Sequence, residues 1–323
     1  MNPALPAPLA DALDALAEGR SGRDLAERAQ TISALYRSGA PSSRAIRDEM
    51  DALAYALTRM PATYAAVRAA LEALAERAPD FAPRTVADIG CGPGTASWAA
   101  MDAFHSADDL SLIDGNKALL DLATEMIRRS EQAAATSRTL ASLDATPPPS
   151  AELVIAAYVL TEMPDAAASK LAERLWDATE GALVLVEPGT PASWVRLMTI
   201  RSMLINAGAM VAAPCPHHAP CPIIPSDWCH FSQRLPRSRA HRLAKGGDAP
   251  FEDEKFAYLA VVRPSVALEP PRPRVLALPL EDKAAVSLKL CEPSGGLALR
   301  RIVKRDKDTY RAVRRAGWGD VVE

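Results

Sequence analysis

Apolar positions recur every three to four residues through AYALTRMPATYAAVRAALEALAERA, and residues 8–78 as a whole are rich in Ala and Leu interleaved with Arg and Glu. That period predicts several helices, with Pro61 opening or kinking one of them and Pro79 and Pro83 marking the exit. Beyond residue 83 the texture changes to short apolar runs: TVADIGC, DLSLIDG, SRTLASLD, AELVIAAYVL and GALVLVEPG. Each of the first four is followed by a stretch that reads as a helix. Such alternation predicts an α/β fold, a parallel, doubly wound sheet with helices on both faces. After Pro188 comes a helical pattern, SWVRLMTIRSMLINAG, then a proline-rich segment and a strand, KFAYLAVVRP. Past the linker EPPRPR, the alternating stretches RVLALPL, AAVSLKLC and LALRRIVK predict a small antiparallel unit. The expected organisation is therefore an N-terminal helical region over residues 1–82, a core over 83–210, and a C-terminal β-rich extension over 211–323. Neither an internal repeat nor a heptad array stands out, so a monomer is expected.

The chain has 323 residues, enough for a full core, and its 49% apolar and 24% charged content is that of a soluble globular protein. Its longest weakly charged run, MLINAGAMVAAP, is too short to span a bilayer, so no membrane partner is expected. The opening MNPALPAPLADALDALAEGR has neither the basic start of a secretory signal nor the Arg-rich, acid-poor character of a transit peptide, which predicts a cytoplasmic location. The net charge of −3 conceals an asymmetry. Residues 1–199 carry 17 Lys/Arg against 27 Asp/Glu, and residues 200–323 carry 20 against 13. A basic C-terminal half suggests a polyanionic partner.

VADIGCGPGTASWAA runs from a strand through a loop of small residues into a helix. Gly90, Gly92 and Gly94 let the backbone turn tightly and approach a ligand, the following helix aims its N–H groups at it, and Asp88 ends the strand just before. Asp114 closes the second strand 20 residues beyond Gly94, where a carboxylate can accept from both hydroxyls of a ribose. The GxGxG spacing resembles the class I S-adenosylmethionine-dependent methyltransferases, over residues 85–187. That resemblance implies S-adenosylmethionine as cofactor, with Asp88 ordering the loop near the methionine moiety and Asp144, in SLDA, contacting the adenine. At the end of the fourth strand the chain reads AAYVLTEMP, unlike the D/N-P-P-Y of adenine-N6 methyltransferases, which argues against that chemistry. Tyr158, Thr161 and Glu162 are placed to line the site. Methyl transfer from a sulfonium mainly requires positioning, and no base is assigned.

The segment CPHHAPCPIIPSDWCHF gathers Cys215, Cys221 and Cys229; Cys291 lies in LKLCEPSGG, and the fifth thiol, Cys91, belongs to the glycine loop. The spacing C-x5-C-x7-C-x61-C lacks the C-x2-C knuckles of zinc ribbons, and in a reducing compartment clustered thiols read as metal ligands or redox groups rather than disulfides. Four thiolates suit a [4Fe-4S] cluster or a structural zinc, and the histidines His217, His218 and His230 are available to zinc. Taken with EDEKFAYLAVVRP, LCEPSGG and the closing YRAVRRAGWGD, the cysteine segment and its WCHFSQR continuation resemble the ribosomal small-subunit methyltransferase-like family, from about residue 40 onward. The resemblance implies a [4Fe-4S] cluster on Cys215, Cys221, Cys229 and Cys291, and binding to small-subunit ribosomal RNA or a pre-ribosomal particle during assembly. Members of this family are methyltransferases or non-catalytic checkpoint factors. A zinc-stapled small-molecule methyltransferase is the reading from another class. Two basic stretches fit an RNA partner: Arg234, Arg237, Arg239, Arg242 and Lys245 on an expected loop, and Arg300, Arg301, Lys304, Arg305, Arg311, Arg314 and Arg315 near the C-terminus. Trp228, Phe231, Tyr310 and Trp318 read as packing residues before base-stacking ones.

Overall fold

The computed structural model describes residues 4–37, 42–129, 135–143, 146–237, 241–242 and 249–323. Its N-terminal part holds α1 (Ala7–Ala17), α2 (Gly22–Arg37), the short α3 (Ser42–Ala45) and the long α4 (Glu49–Arg77). Asp48 caps α4 by accepting from the Asp51 N–H at 2.8 Å, which satisfies one of the free donors of the first turn. Arg28 of α2 then pairs with Asp48 at 2.9 Å and with the buried Asp51 at 2.6 Å, tying the two helices together. Of the two roles expected for Pro61, opening a helix fails, because α4 runs through it. Tertiary packing outweighs the lost hydrogen bond there: Met60, Tyr64, Val67, Leu71 and Leu74 around Pro61 are all buried.

The predicted alternation appears as β1 (Thr85–Ile89), α5 (Thr95–Ala103), β2 (Asp109–Asp114), α6 (Lys117–Arg128), β3 (Ala135–Leu140), β4 (Ala151–Ala157), α7 (Asp165–Ala178), β5 (Thr179–Pro188) and α8 (Pro191–Asn206). One expectation fails: no helix follows β3 among the described residues, where Pro147, Pro148 and Pro149 deny the stretch its N–H donors. β1 to β5 are parallel, in the spatial order β3-β2-β1-β4-β5. Alternate residues of each strand feed two cores. Val184 and Val186 of β5 face α4, α5 and α6, whereas Leu183 and Leu185 face α7 and α8. Both faces being covered, the strands read as nearly continuous apolar runs.

The sheet is completed by β6 (Met210–Ala213), β7 (Phe231–Pro236) and the twelve-residue β8 (Phe251–Val262). β8 runs antiparallel to β5 along one edge. On its other edge β6 pairs with residues 260–262 and β7 with residues 251–256, so the two short strands lie end to end on one neighbour. The chain between them, residues 214–230, leaves the sheet and returns to it. That excursion is the cysteine segment. A second sheet, β9 (Arg274–Val275), β10 (Leu280–Glu281), β11 (Ala285–Cys291) and β12 (Leu297–Val303), is antiparallel as expected and precedes α9 (Lys307–Val313). RVLALPL thus supplies two short strands rather than one.

Phe256 of β8 is 1% exposed and packs against the rings of Phe231 and Tyr258, at 6.0 and 5.8 Å between centroids. Phe256→Ala is expected to lower unfolding free energy by about 3–5 kcal/mol in denaturant titrations. Phe251→Ala, on the same strand but 47% exposed beneath Arg234, is expected to cost no more than about 1 kcal/mol.

Candidate functional site

The loop after β1 folds back over the end of β2, with the N–H groups of Gly90 and Cys91 donating to the Ile113 carbonyl at 2.8 and 3.0 Å. Gly90, Gly92 and Gly94 have φ of 66°, 53° and 79°, the left-handed region that other residues enter at a cost. Gly90 has a second reason to lack a side chain, since a Cβ there would stand 2.5 Å from Val159. Asp88 is buried and points across the loop: its Oδ2 accepts from the Ser97 backbone N–H at 2.9 Å and from the Ser97 hydroxyl at 2.7 Å. It therefore fastens the first turn of α5 to β1, the loop-ordering role expected of it. Burial pushes its carboxyl up to about 6, opposed by the two Ser97 bonds.

Asp114 sits at the carboxyl end of β2 as anticipated. Its Oδ2 accepts from the Gly92 N–H at 2.8 Å and its Oδ1 from the Asn116 N–H at 2.7 Å, leaving each oxygen a further lone pair for a diol. Burial raises this carboxyl, and the N–H groups of Asn116, Gly92 and Gly115 oppose the rise. Asp144 lies outside the described residues. Cys91 is buried within the loop and lines neither cavity described below.

Beside the carboxyl ends of β4 and β5 lies a cleft of about 830 Å³. α2 and α4 roof it with Tyr36, Tyr55 and Arg59, and Tyr158, Thr161 and Glu162, expected beside the cofactor loop, line it, whereas Gly90, Gly92, Gly94 and Asp114 do not. Its volume is in the range of small-molecule sites. Burial raises the Tyr36 hydroxyl, and Tyr55, Glu162 and Asp114 add to the rise. Tyr158 has φ of 62°, an unusual state for a bulky side chain, which its surroundings hold in place. Its N–H donates to Val186 at 2.7 Å, and its hydroxyl donates to Glu254 of β8 at 2.7 Å; Arg59 pairs with the same carboxylate at 3.3 Å. Burial and Glu254 raise the Tyr158 hydroxyl well above its ordinary range, so it is no base at neutral pH. Arg59 and Glu254, far apart in the chain, carried no local signal that could have marked them.

The excursion between β6 and β7 brings Cys215, Cys221 and Cys229 to one side of a second cavity, of about 20 Å³, and β11 brings Cys291 to it. All four thiols line it, and the rest of the wall is Trp194, Leu197, Met198, Pro214, Ile223, Phe231, Ala257, Tyr258 and Leu276. Burial raises the thiols of Cys215, Cys229 and Cys291, the last to about 12, and the neighbouring sulfurs add to each rise. No group of three or more His, Cys, Asp or Glu side chains among the described residues is arranged to hold a metal ion. Of the histidines, only His217 meets a thiol, with Nε2 at 3.4 Å from Cys291 Sγ and Nδ1 3.1 Å from the Ala219 carbonyl. His218 accepts from the Val211 N–H, and His230 packs between Trp228 and Trp318, so the WCHF and AGWGD segments meet here as packing. α8 contributes Trp194, Leu197, Met198 and Arg201 to this region, a helical spacing that could have pointed to a shared face.

The expected basic loop is corrected in part. Arg234 lies on β7 and Arg237 directly after it, paired with Asp253 and Glu252 across the sheet. Arg239 and Lys245 lie outside the described residues. Arg300 and Arg301 pair with Glu292 and Asp282, whereas Lys304, Arg305, Arg314 and Arg315 are exposed beside α9.

The strand order with a final antiparallel β8, and the glycine loop at the end of β1, make this a class I methyltransferase fold with a second small sheet at its C-terminus. A family model described as mitochondrial small ribosomal subunit Rsm22 matches residues 49–323. The chain is 29% identical over 287 residues to the human mitochondrial ribosome assembly protein METTL17, covering 84% of this chain and 62% of that protein. It is 26% identical over 352 residues to Rsm22-cox11 tandem protein 2 of Schizosaccharomyces pombe, covering 93% of this chain and 46% of that one. The chain thus spans less than two thirds of the curated relatives it matches. Among solved structures it is similar to human N-acetylserotonin methyltransferase in complex with S-adenosylmethionine, at TM-score 0.43 and 14% identity over 78% of this chain and 70% of that one. It is also similar to magnesium protoporphyrin IX methyltransferase of Synechocystis PCC 6803, at TM-score 0.42 and 13% identity over 68% and 85%.

Two outcomes follow from the loop. Gly90→Ala is expected to weaken S-adenosylmethionine binding at least about tenfold by calorimetry, since Val159 must move and the positive φ is strained. Asp88 is raised in the folded state, so its unfavourable burial is absent below its unfolded value near 3.8 and complete above about 6. Asp88→Asn keeps the acceptor, and its stability relative to the native protein is expected to grow by about 3 kcal/mol between pH 4 and 7 in denaturant titrations.

Proposed function

The chain belongs to the Rsm22 family of the mitochondrial small ribosomal subunit, and from that premise we propose that it is an S-adenosylmethionine-binding assembly factor of the small ribosomal subunit, carrying a four-thiolate metal centre. The observation that carries this reading is the meeting of Cys215, Cys221, Cys229 and Cys291 at one cavity, in a chain that also forms a glycine loop after β1. A single zinc ion needs sulfurs about 2.3 Å from one point. Four cysteine thiols at one cavity are the donor set of a [4Fe-4S] cluster or of a structural zinc, and we read the first, with zinc as the second reading. The clustered free thiols also favour a reducing compartment, which we take to be the cytoplasm.

When bound, S-adenosylmethionine supplies an electrophilic methyl group. The chain's own contribution is to seat it: Asp114 offers acceptors for the ribose hydroxyls, the glycine loop admits close backbone approach, and Asp88 holds that loop to α5. In the cleft the Tyr158 hydroxyl and Glu254 satisfy each other, which supports positioning rather than proton removal. Because methyl transfer from a sulfonium needs positioning before a base, the checkpoint factor and the active ribosomal RNA methyltransferase share this site, and the checkpoint role is the one we put to the test. Four thiolates drawn from the excursion and from β11 would lock the second sheet to the first, because metal binding couples to folding. Lys304, Arg305, Arg314 and Arg315 are the exposed cations we assign to ribosomal RNA phosphates.

The test uses the full chain purified without oxygen, with Cys221→Ser beside it, analysed for iron, sulfide and zinc and then mixed with labelled S-adenosylmethionine and immature small-subunit particles. Brown protein with iron and sulfide, bleached in the variant, that binds the particles and leaves their RNA unlabelled is the expected result. Labelled RNA would establish the methyltransferase reading instead. Colourless protein that binds particles no better than its charge accounts for would defeat the proposal.

A further inference from the structure

β12 ends the order β10-β11-β12, so one of its edges has no strand beside it among the described residues. Backbone bonds fix which of its groups face that edge. The Glu292 N–H donates to the Gly296 carbonyl at 2.9 Å and the Lys304 N–H to the Ala284 carbonyl at 2.8 Å, at the two ends of a register that sets Leu288 opposite Arg300. Bonded and non-bonded pairs alternate along an antiparallel ladder, so Ala298, Arg300 and Ile302 turn their N–H and C=O groups toward β11. Leu297, Leu299, Arg301 and Val303 turn theirs away from it. On the far edge of β11 the Leu276 N–H donates to the Lys289 carbonyl at 2.8 Å, the same alternation continued.

The period of two also sorts the side chains. Ala298 and Ile302 pack onto the small core of Val286, Leu288 and Leu290, on the face that α9 covers with Tyr310 and Val313. Leu297, Leu299 and Arg301 stand on the opposite face, where Leu299 is 84% and Leu297 41% exposed. Unpaired edges in water are ordinarily blunted with charge, and this one combines charge with open leucines. Residues 293–305 hold Arg300, Arg301, Lys304 and Arg305 and no acid. The acids that pair with Arg300 and Arg301, Glu292 and Asp282, follow directly on β11 and β10, away from the open edge.

We propose that the free edge of β12 takes up an extended, acidic segment of a partner protein as an added strand, with alternate apolar side chains laid on Leu297 and Leu299. Outward N–H and C=O groups at every second residue match an extended chain and not a helix. The exposed leucines match apolar side chains at the same period. A strand reading LALRRIV has no aromatic ring on which RNA bases could stack, so RNA phosphates are left to the cations beyond the strand. A second copy fits poorly as well. Full antiparallel pairing of two β12 strands centres on Arg300 and sets cation against cation, and a basic segment meets the same repulsion, whereas acids complement it.

The experiment uses the full chain and two labelled synthetic peptides matching the seven residues of β12, one alternating Val with Glu and the other Val with Lys. Binding is read by fluorescence anisotropy, and the edge amides by hydrogen exchange in nuclear magnetic resonance. The Glu peptide is expected to bind at least about tenfold tighter than the Lys peptide, and to slow exchange at Leu299 and Arg301 but not at Ala298 and Arg300, whose amides face β11. Leu299→Pro removes one outward N–H and leaves the ladder to β11 whole, so it should weaken the Glu peptide at least about tenfold with unchanged circular dichroism. Arg301→Glu should turn the preference toward the Lys peptide. Should Leu299→Pro fail to fold, Arg301→Glu decides by whether the preference moves. Binding of neither peptide, equal binding of both, or binding that leaves the Leu299 and Arg301 amides unprotected overturns the proposal. So does stronger protection of these amides by a uridine oligonucleotide than by the Glu peptide, which gives the edge to RNA. A dimer in sedimentation that Leu299→Pro dissolves gives it to a second copy and overturns the proposal equally.

Discussion

β8 is the constraint on which the rest depends. Twelve residues long, it hydrogen-bonds β5 along one edge and must be matched along the other. β6 matches it at residues 260–262 and β7 at residues 251–256, so both lie on one line and the chain joining them has no place in the sheet. Residues 214–230 are forced outward. Cys215 stands just after the point of departure and Cys229 just before the return, so the ladder that closes the main sheet also brings the two ends of the cysteine segment together. The demand that backbone donors and acceptors find partners thus shapes the thiol cavity before any side chain acts.

Onto that frame the second sheet is fixed by a handful of contacts. Arg274 at its start grips the Pro214 carbonyl and the carbonyl of Gly319, Cys291 at the end of β11 meets His217, and Lys289 pairs with Asp227. Trp228, His230 and Trp318 pack one on another across the same junction, and the Trp228 indole donates to the Gly189 carbonyl at 3.0 Å. Residues that could have served base stacking are consumed in joining the two sheets. The two buried guanidiniums at this junction, Arg201 and Arg274, spend their donors on backbone carbonyls of the cysteine segment and of the C-terminus.

At the glycine loop the logic is different. The cofactor loop is local: three glycines at positive φ, an acid at the end of each of the first two strands, and a helix that starts at once. Its chemistry needs no distant partner, and a short stretch of sequence is sufficient to specify it. The cleft beside it is not local. Tyr36 and Tyr55 come from helices near the N-terminus, Tyr158 from the end of β4, and Glu254 from β8, so its polar character exists only once α4 has packed across the sheet.

By itself the sequence determined the period of the elements, the parallel character of β1 to β5, and the glycine loop with Asp88 and Asp114. Each of these is written in nearest-neighbour patterns or in residue chemistry, because helices and strands bury one face and only glycine tolerates the loop's backbone. Tertiary structure decided that α4 continues through Pro61, that β6 and β7 share one edge of β8, that Arg234 and Arg237 are sheet ion pairs, and that Arg201 and Arg274 are buried on the His217 and Pro214 carbonyls. An arginine reads as a surface residue until its neighbours are known, since its charge marks it for water and only the fold shows what replaces that water.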